Sequence, residues 1–152
     1  MADKLGKQKD EDALSVAKML SESTGHLLIS LNKSLLDRLN GRQYDSTAYQ
    51  DVLDPDIHIE LHGRMLKGPQ GFVDGYKDVA DLSPGLHVSI TNSSAIVDER
   101  LDKATVLLHL NLTGFLEETR RAGTILSCWR RHEDGRWTSY AYHMFYGIQE
   151  FH

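Results

Sequence analysis

The chain predicts an α+β domain in which helices pack on a strongly curved antiparallel sheet. Three observations carry that expectation. Apolar residues over the first part of the chain recur at helical spacing, residues 86 to 147 divide into four alternating strands joined by charged turns, and one face of those strands carries a polar row of His87, His109, Asn111 and Thr113. Such a row on otherwise apolar strands suggests a sheet folded around a polar-lined cavity. The 152 residues suffice for one core and are too few for two.

Residues 1–11, with the sequence MADKLGKQKDE, are expected as a mobile tail, and residues 12–152 as a single domain. From residue 12, Leu14, Val16, Met19 and Leu20 are followed by Leu27, Leu31, Leu35 and Leu39 at four-residue intervals, which predicts a helical arm. Ser23-Thr24-Gly25 interrupts it with residues that cap or break helices, so either one helix bends there or two helices meet. A short helix starting near Asp45 or Ser46 would present Tyr49, Val52 and Leu53 to the core and stop before Pro55. Ile57 to His62 alternates strictly, as a half-buried strand does, and Gly63 ends it. Pro69 suits the first turn of a further helix with an apolar stripe of Phe72, Val73, Tyr76, Val79 and Ala80, ending at Ser83-Pro84-Gly85. Strands over roughly 86–97, 104–116, 122–132 and 136–147 complete an antiparallel meander, with Asp134-Gly135 turning the last hairpin.

Composition narrows the function classes. Hydrophobic residues at 40% and charged residues at 26% fit a soluble globular chain. The net charge of −5 and the splitting of Arg120-Arg121 from Arg130-Arg131 argue against nucleic acid, which is met by a continuous basic stripe. No apolar run approaches the roughly 20 residues that span a bilayer, so no membrane partner is expected. A charged N-terminal sequence and a single cysteine, Cys128, point to the cytoplasm and to no internal disulfide.

No metal or other cofactor is expected. His58 and His62 have the four-residue spacing of a helical metal site, but on a strand they stand about 13 Å apart and cannot share an ion. His87 shares a strand face with Ser89 and Thr91, and an imidazole suits proton transfer at neutral pH. On the longest strand His109, Asn111, Thr113 and Phe115 alternate with Val106, Leu108, Leu110 and Leu112. Those leucines must be covered, either by the helices, which leaves the polar row outside, or by a second subunit, which turns the polar row inward. Thr124, Leu126 and Cys128 share one face of the next strand. Asp37 and Asp45, near the end of the helical arm, could orient a base.

The helical arm, Asp54-Pro55-Asp56-Ile57 before a strand, the helix bearing Gly71-Phe72 and Tyr76, and Asp134-Gly135-Arg136-Trp137 before the last strand resemble the nuclear-transport-factor-2-like superfamily, most of all its SnoaL-like branch. The resemblance covers about residues 26–147. It implies a cone-shaped α+β barrel whose concave sheet face lines a pocket. Leu86-His87-Val88 is similar to the catalytic-histidine segment of scytalone dehydratases, while that family's first-helix tyrosine and aspartate fall on Gly41 and Arg42. Register against the same family places Leu61, Phe115, Tyr142 and Met144 toward the pocket, with Tyr142 and His143 pointing to opposite faces.

The resemblance implies a cofactor-independent acid-base enzyme of isomerase, dehydratase or cyclase type, acting on an apolar ring-bearing or polyketide-like small molecule. His87 would be base or acid, His109 and Asn111 polarising donors, and Tyr142 with Tyr76 proton-donating walls. Thr113, Phe115, Thr124, Leu61 and Met144 would contact the substrate. Dimeric relatives favour the arrangement with the leucines at a homodimer interface across the sheet. The alternative is a non-catalytic small-molecule-binding or dimerisation module of the same fold.

Overall fold

The first helix of the computed structural model, which describes residues 2–114 and 120–146, runs unbroken as α1 (Ala2–Asn40). It includes residues 2–11, expected as a tail, where Lys, Gln, Glu and Ala all favour helix. It also passes through Ser23-Thr24-Gly25 without a break. Gly25 faces the sheet there, where a Cβ would stand 3.4 Å from that of Ala95, so the glycine sets the distance of approach. Thr24 Oγ1 donates to Glu99 Oε1 at 3.1 Å beside it. Leu28, Leu35, Leu36 and Leu39 form the buried stripe, whereas Leu14, Val16, Met19 and Leu20 on the N-terminal half are exposed.

The expected second helix shrinks to a 3-10 turn, Ser46–Tyr49, capped by the Asp45 carboxylate, which accepts from Thr47 N at 3.0 Å. Strand β1 (Leu53–Leu61) then begins before Pro55 rather than after it. A four-residue strand, β2 (Arg64–Lys67), folds back on it and leads into α2 (Gly68–Leu82), which buries Phe72, Val73, Tyr76 and Ala80. The meander follows as β3 (His87–Asp98), β4 (Lys103–Thr113), β5 (Arg121–Arg131) and β6 (Trp137–Tyr146).

The sheet order is β2-β1-β6-β5-β4-β3. All neighbours are antiparallel except β1 and β6, which run parallel, so the sheet is mixed where a wholly antiparallel one was expected. The connection through β2, α2 and the first three meander strands is long enough to bring β6 back parallel to β1. Helix α1 packs along β3 and α2 along β1, giving the cone-like arrangement of two helices on one face of an open, curved sheet. Register shifts in β1, β3 and at the β5–β6 pair mark where the sheet bends.

Two anchors fix the start of β3. The Asn40 amide donates to Val88 O at 2.7 Å and its carbonyl accepts from Val88 N at 2.9 Å, pinning the end of α1 to the strand. Gly114 has a φ of +69°, and a Cβ there would lie 2.2 Å from Gly85 O, so the turn after α2 and the end of β4 meet backbone to backbone. Among the described residues no helix is long and apolar enough to cross a membrane.

Candidate functional site

The concave face of the sheet is apolar. Val106, Leu108, Leu110 and Leu112 of β4 are at most 1% exposed and form one core with the leucines of α1 and the aromatics of α2. The expectation that these leucines meet a second subunit is therefore corrected. An α1 stripe of leucines needs apolar partners, and a polar row facing it would lose its hydration without gaining hydrogen bonds. Alternation then carries His109, Asn111 and Thr113 to the outer face, where they are half-buried or exposed. Thr124, directly opposite His109, shares that face.

The proposed set thus divides. Tyr142, Tyr76, Met144 and Leu61 come together in the core, each at most 4% exposed. His109, Asn111, Thr113 and Thr124 form a contiguous patch on the other side of the sheet. His87 sits opposite Thr113 at the open edge of β3, where it lines a groove of about 270 Å³ with Lys33, Asp37 and Asn40. Phe115 lies outside the described residues. The sheet stands between the outer patch and the tyrosines, so His109 and Asn111 cannot polarise a molecule held against Tyr142.

The tyrosine pair is a closed system. The two hydroxyls are 2.7 Å apart, and Tyr76 also donates to Met144 Sδ at 3.5 Å. The protons therefore run from Tyr142 to Tyr76 to the thioether. Phe72 packs edge-on against Tyr142 at 5.0 Å between centroids and tilted against Tyr76 at 5.2 Å. Burial raises the pKa of both phenols far above the ordinary value near 10, with each phenol's partner a secondary influence. They are neutral, internally satisfied groups that fasten α2 to β6.

At the β1–β2 turn His62 adopts a left-handed φ of 55° and turns inward instead of joining the solvent face with His58. Its ring stacks on Tyr146 at 4.3 Å, its Nε2 meets the Tyr146 hydroxyl, and the Arg121 guanidinium lies 4.7 Å over the other ring. Burial first, then the charges of Arg121 and Arg64, lower the His62 pKa to about 4.

One polar cluster falls outside the sequence expectations altogether. Asp54, 1% exposed, accepts from Arg130 Nη2 at 2.5 Å and from the Thr138 hydroxyl, and His132 Nε2 stands 2.6 Å from the same hydroxyl. Thr138 has one proton, and an ionised carboxylate can only accept. Thr138 therefore donates to Asp54 and accepts from His132, which places a proton on Nε2; in the neutral imidazole Nδ1 is then the acceptor nitrogen. The loop over residues 133–135 sets the register that places Arg130 opposite Thr138, one residue away from what a two-residue Asp134-Gly135 turn would give. Nothing in the sequence showed that Asp54 would join them, because the register shift between Leu53 and His58 buries two successive residues, Leu53 and Asp54.

No family model matches the sequence, and no curated protein matches it. Solved structures do match its architecture. The chain is similar to a hexachlorocyclohexane dehydrochlorinase from Novosphingobium barchaimii, at 17% identity and a TM-score of 0.68 with 88% of each chain covered. It is similar to the CaMKII hub of S. rosetta, at 12% identity and a TM-score of 0.67 over 81% of this chain and 96% of that one. It also resembles a candidate dehydratase of the NTF2-like family from Streptomyces avermitilis, at 14% identity and a TM-score of 0.66 over 84% and 98%. These likenesses define the fold as nuclear-transport-factor-2-like. At such identities they carry the fold alone.

Proposed function

We propose that the chain is a homodimeric module whose outer sheet face is the subunit interface. The observation that supports this most is an apolar band crossing three strands on the side of the sheet away from both helices. Leu107 pairs with Leu126, Cys128 with Ala141, and Phe145 lies opposite Thr124, while Tyr140 bulges onto the same face; His143 opposite Leu126 and Thr105 opposite Cys128 are polar members of the band. All but Thr124 are half-buried, and neither α1 nor α2 lies over them. His109, Asn111 and Thr113 border the band on one side, Lys103 and Arg130 on the other. An apolar centre with a polar rim is the anatomy of a protein interface, and the polar row belongs to that rim. A neighbour of the same fold carries the name of a hub, that of CaMKII, which agrees with an assembly role.

Sedimentation equilibrium tests the proposal. Wild type should have twice its chain mass of 17.2 kDa at micromolar concentration, and Leu126→Arg should sediment as a folded monomer. A wild-type monomer up to about 1 mM, weaker than any stable specific interface, would refute it.

A second reading keeps acid-base chemistry, and one observation favours it: His87 and Asp37 line the same groove. In it, His87 is the base, Asp37 its orienting partner, and the substrate an apolar ring-bearing molecule at the β3 edge rather than inside the cone. The names of the dehydrochlorinase and candidate dehydratase neighbours agree with that chemistry. Turnover of halogenated or hydroxylated ring compounds that survives both His87→Ala and Asp37→Asn would remove this reading.

A further inference from the structure

The pocket beside Asp54 lies apart from the outer face and from His87. It measures about 510 Å³, within the usual range of roughly 300–1,000 Å³ for small-molecule sites, and opens between the start of β1, the start of α2 and the β5–β6 hairpin. Its chemistry is uneven. Leu53, Pro55 and Pro69 supply apolar walls, and Gln50, Arg136, His132 and Thr138 supply the polar ones. Asp54 offers the pocket little, since Arg130 holds one of its oxygens and Thr138 the other.

Besides the exposed Gln50 amide, two groups remain open. The Arg136 guanidinium reaches only Asp134, with Nε 4.0 Å from its carboxylate, so its paired Nη donors have no partner among the described residues. His132 is held from behind through Nε2, and its Nδ1, the acceptor of the neutral ring, likewise has none. A guanidinium fork fits a carboxylate in bidentate fashion. A fixed neutral acceptor selects a hydrogen-bond donor.

We propose that this pocket binds a small hydroxycarboxylic acid. Its carboxylate lies on Arg136, its hydroxyl donates to His132 Nδ1, and its apolar body packs between Leu53, Pro55 and Pro69. Asp54 and Thr138 are positioning residues that hold the His132 tautomer. The occupant is bound in its ordinary ionised form, and no covalent step is involved.

Mandelate carries all three features, phenylacetate lacks the hydroxyl, and mandelamide lacks the charge. Titration of the full chain with each, followed by backbone amide shifts, separates the contributions. Saturable mandelate binding should move the signals of residues 132–138 and of Leu53, with phenylacetate and mandelamide each about tenfold or more weaker. Arg136→Ala should weaken mandelate and phenylacetate alike, while His132→Phe should abolish the preference for mandelate over phenylacetate and leave phenylacetate unchanged. Arg136 is an exposed turn residue, so its replacement leaves the fold intact. Absence of saturable mandelate binding, equal affinity for all three probes, or shifts that persist unchanged in Arg136→Ala would overturn the assignment. Each outcome is independent of the sedimentation result.

Discussion

Removing either hydroxyl of the Tyr76–Tyr142 pair should destabilise the protein unequally, because the order of the protons makes the two changes different. In Tyr76→Phe the Tyr142 hydroxyl, in a residue 1% exposed, loses its acceptor and becomes an orphaned donor. An unsatisfied buried group costs about 1–3 kcal/mol, and this variant should lie in the upper half of that range. In Tyr142→Phe the remaining Tyr76 hydroxyl still donates to Met144 Sδ and loses only an incoming bond, so about 1 kcal/mol is expected. The double variant leaves neither group behind and should cost no more than Tyr76→Phe alone, a coupling of about 1 kcal/mol.

Urea denaturation followed by the fluorescence of Trp129 and Trp137 measures all three. Equal, additive losses below about 0.5 kcal/mol would refute the closed chain, and a larger loss for Tyr142→Phe would reverse its direction. The same pair predicts alkaline behaviour. Both folded-state pKa values are raised above the unfolded value near 10, so the unfolded chain loses these protons first, and stability falls as pH rises beyond 10. Each phenol adds a slope of about 1.4 kcal/mol per pH unit, which the double variant should lack.

Gly114→Ala should cost about 2–4 kcal/mol, since it combines a left-handed backbone with overlap against Gly85 O, and thermal unfolding would show it. Asn32 donates to Leu28 O, but its buried Oδ1 has no partner, so Asn32→Leu should stabilise by about 1 kcal/mol in urea. A loss would mean that the carbonyl binds something inside the cone. The His62 imidazole should titrate by NMR near pH 4. With its folded pKa below the ordinary 6.5, the stability it contributes is complete above pH 6.5 and disappears as pH falls through 4. His62→Ala should flatten that acid limb.

The strand boundaries were legible to within a residue or two over the meander, except the end of β4, expected at 116 and found at Thr113, and the alternation grouped the right residues on each face of β4 and β5. It could not show which face was inside. Val106 to Leu112 and His109 to Thr113 are equally regular, and the choice between them rests with the leucine stripe of α1, which lies more than sixty residues away in the chain. The parallel pairing of β1 with β6 and the four-residue β2 carry too few local preferences to be read. The candidate sites suffered most from this. A histidine and a tyrosine chosen for one pocket ended on different sides of the molecule, while Asp54, Thr138 and His132 met through a register shift that no periodicity records.

The central claim is that the outer sheet face is covered by a second copy, and the thiol of Cys128 reports on it directly. Cys128 lies on the central strand of the band, and burial raises its pKa against the opposing hydrogen bonds of Thr105 and Tyr140, so it reacts slowly even in the single chain. Its rate of modification by a neutral disulfide reagent should fall further as protein concentration rises through the dimer dissociation constant, and Leu126→Arg should remove that dependence. A rate independent of concentration in the wild type, together with a mass of 17.2 kDa throughout, would contradict the account.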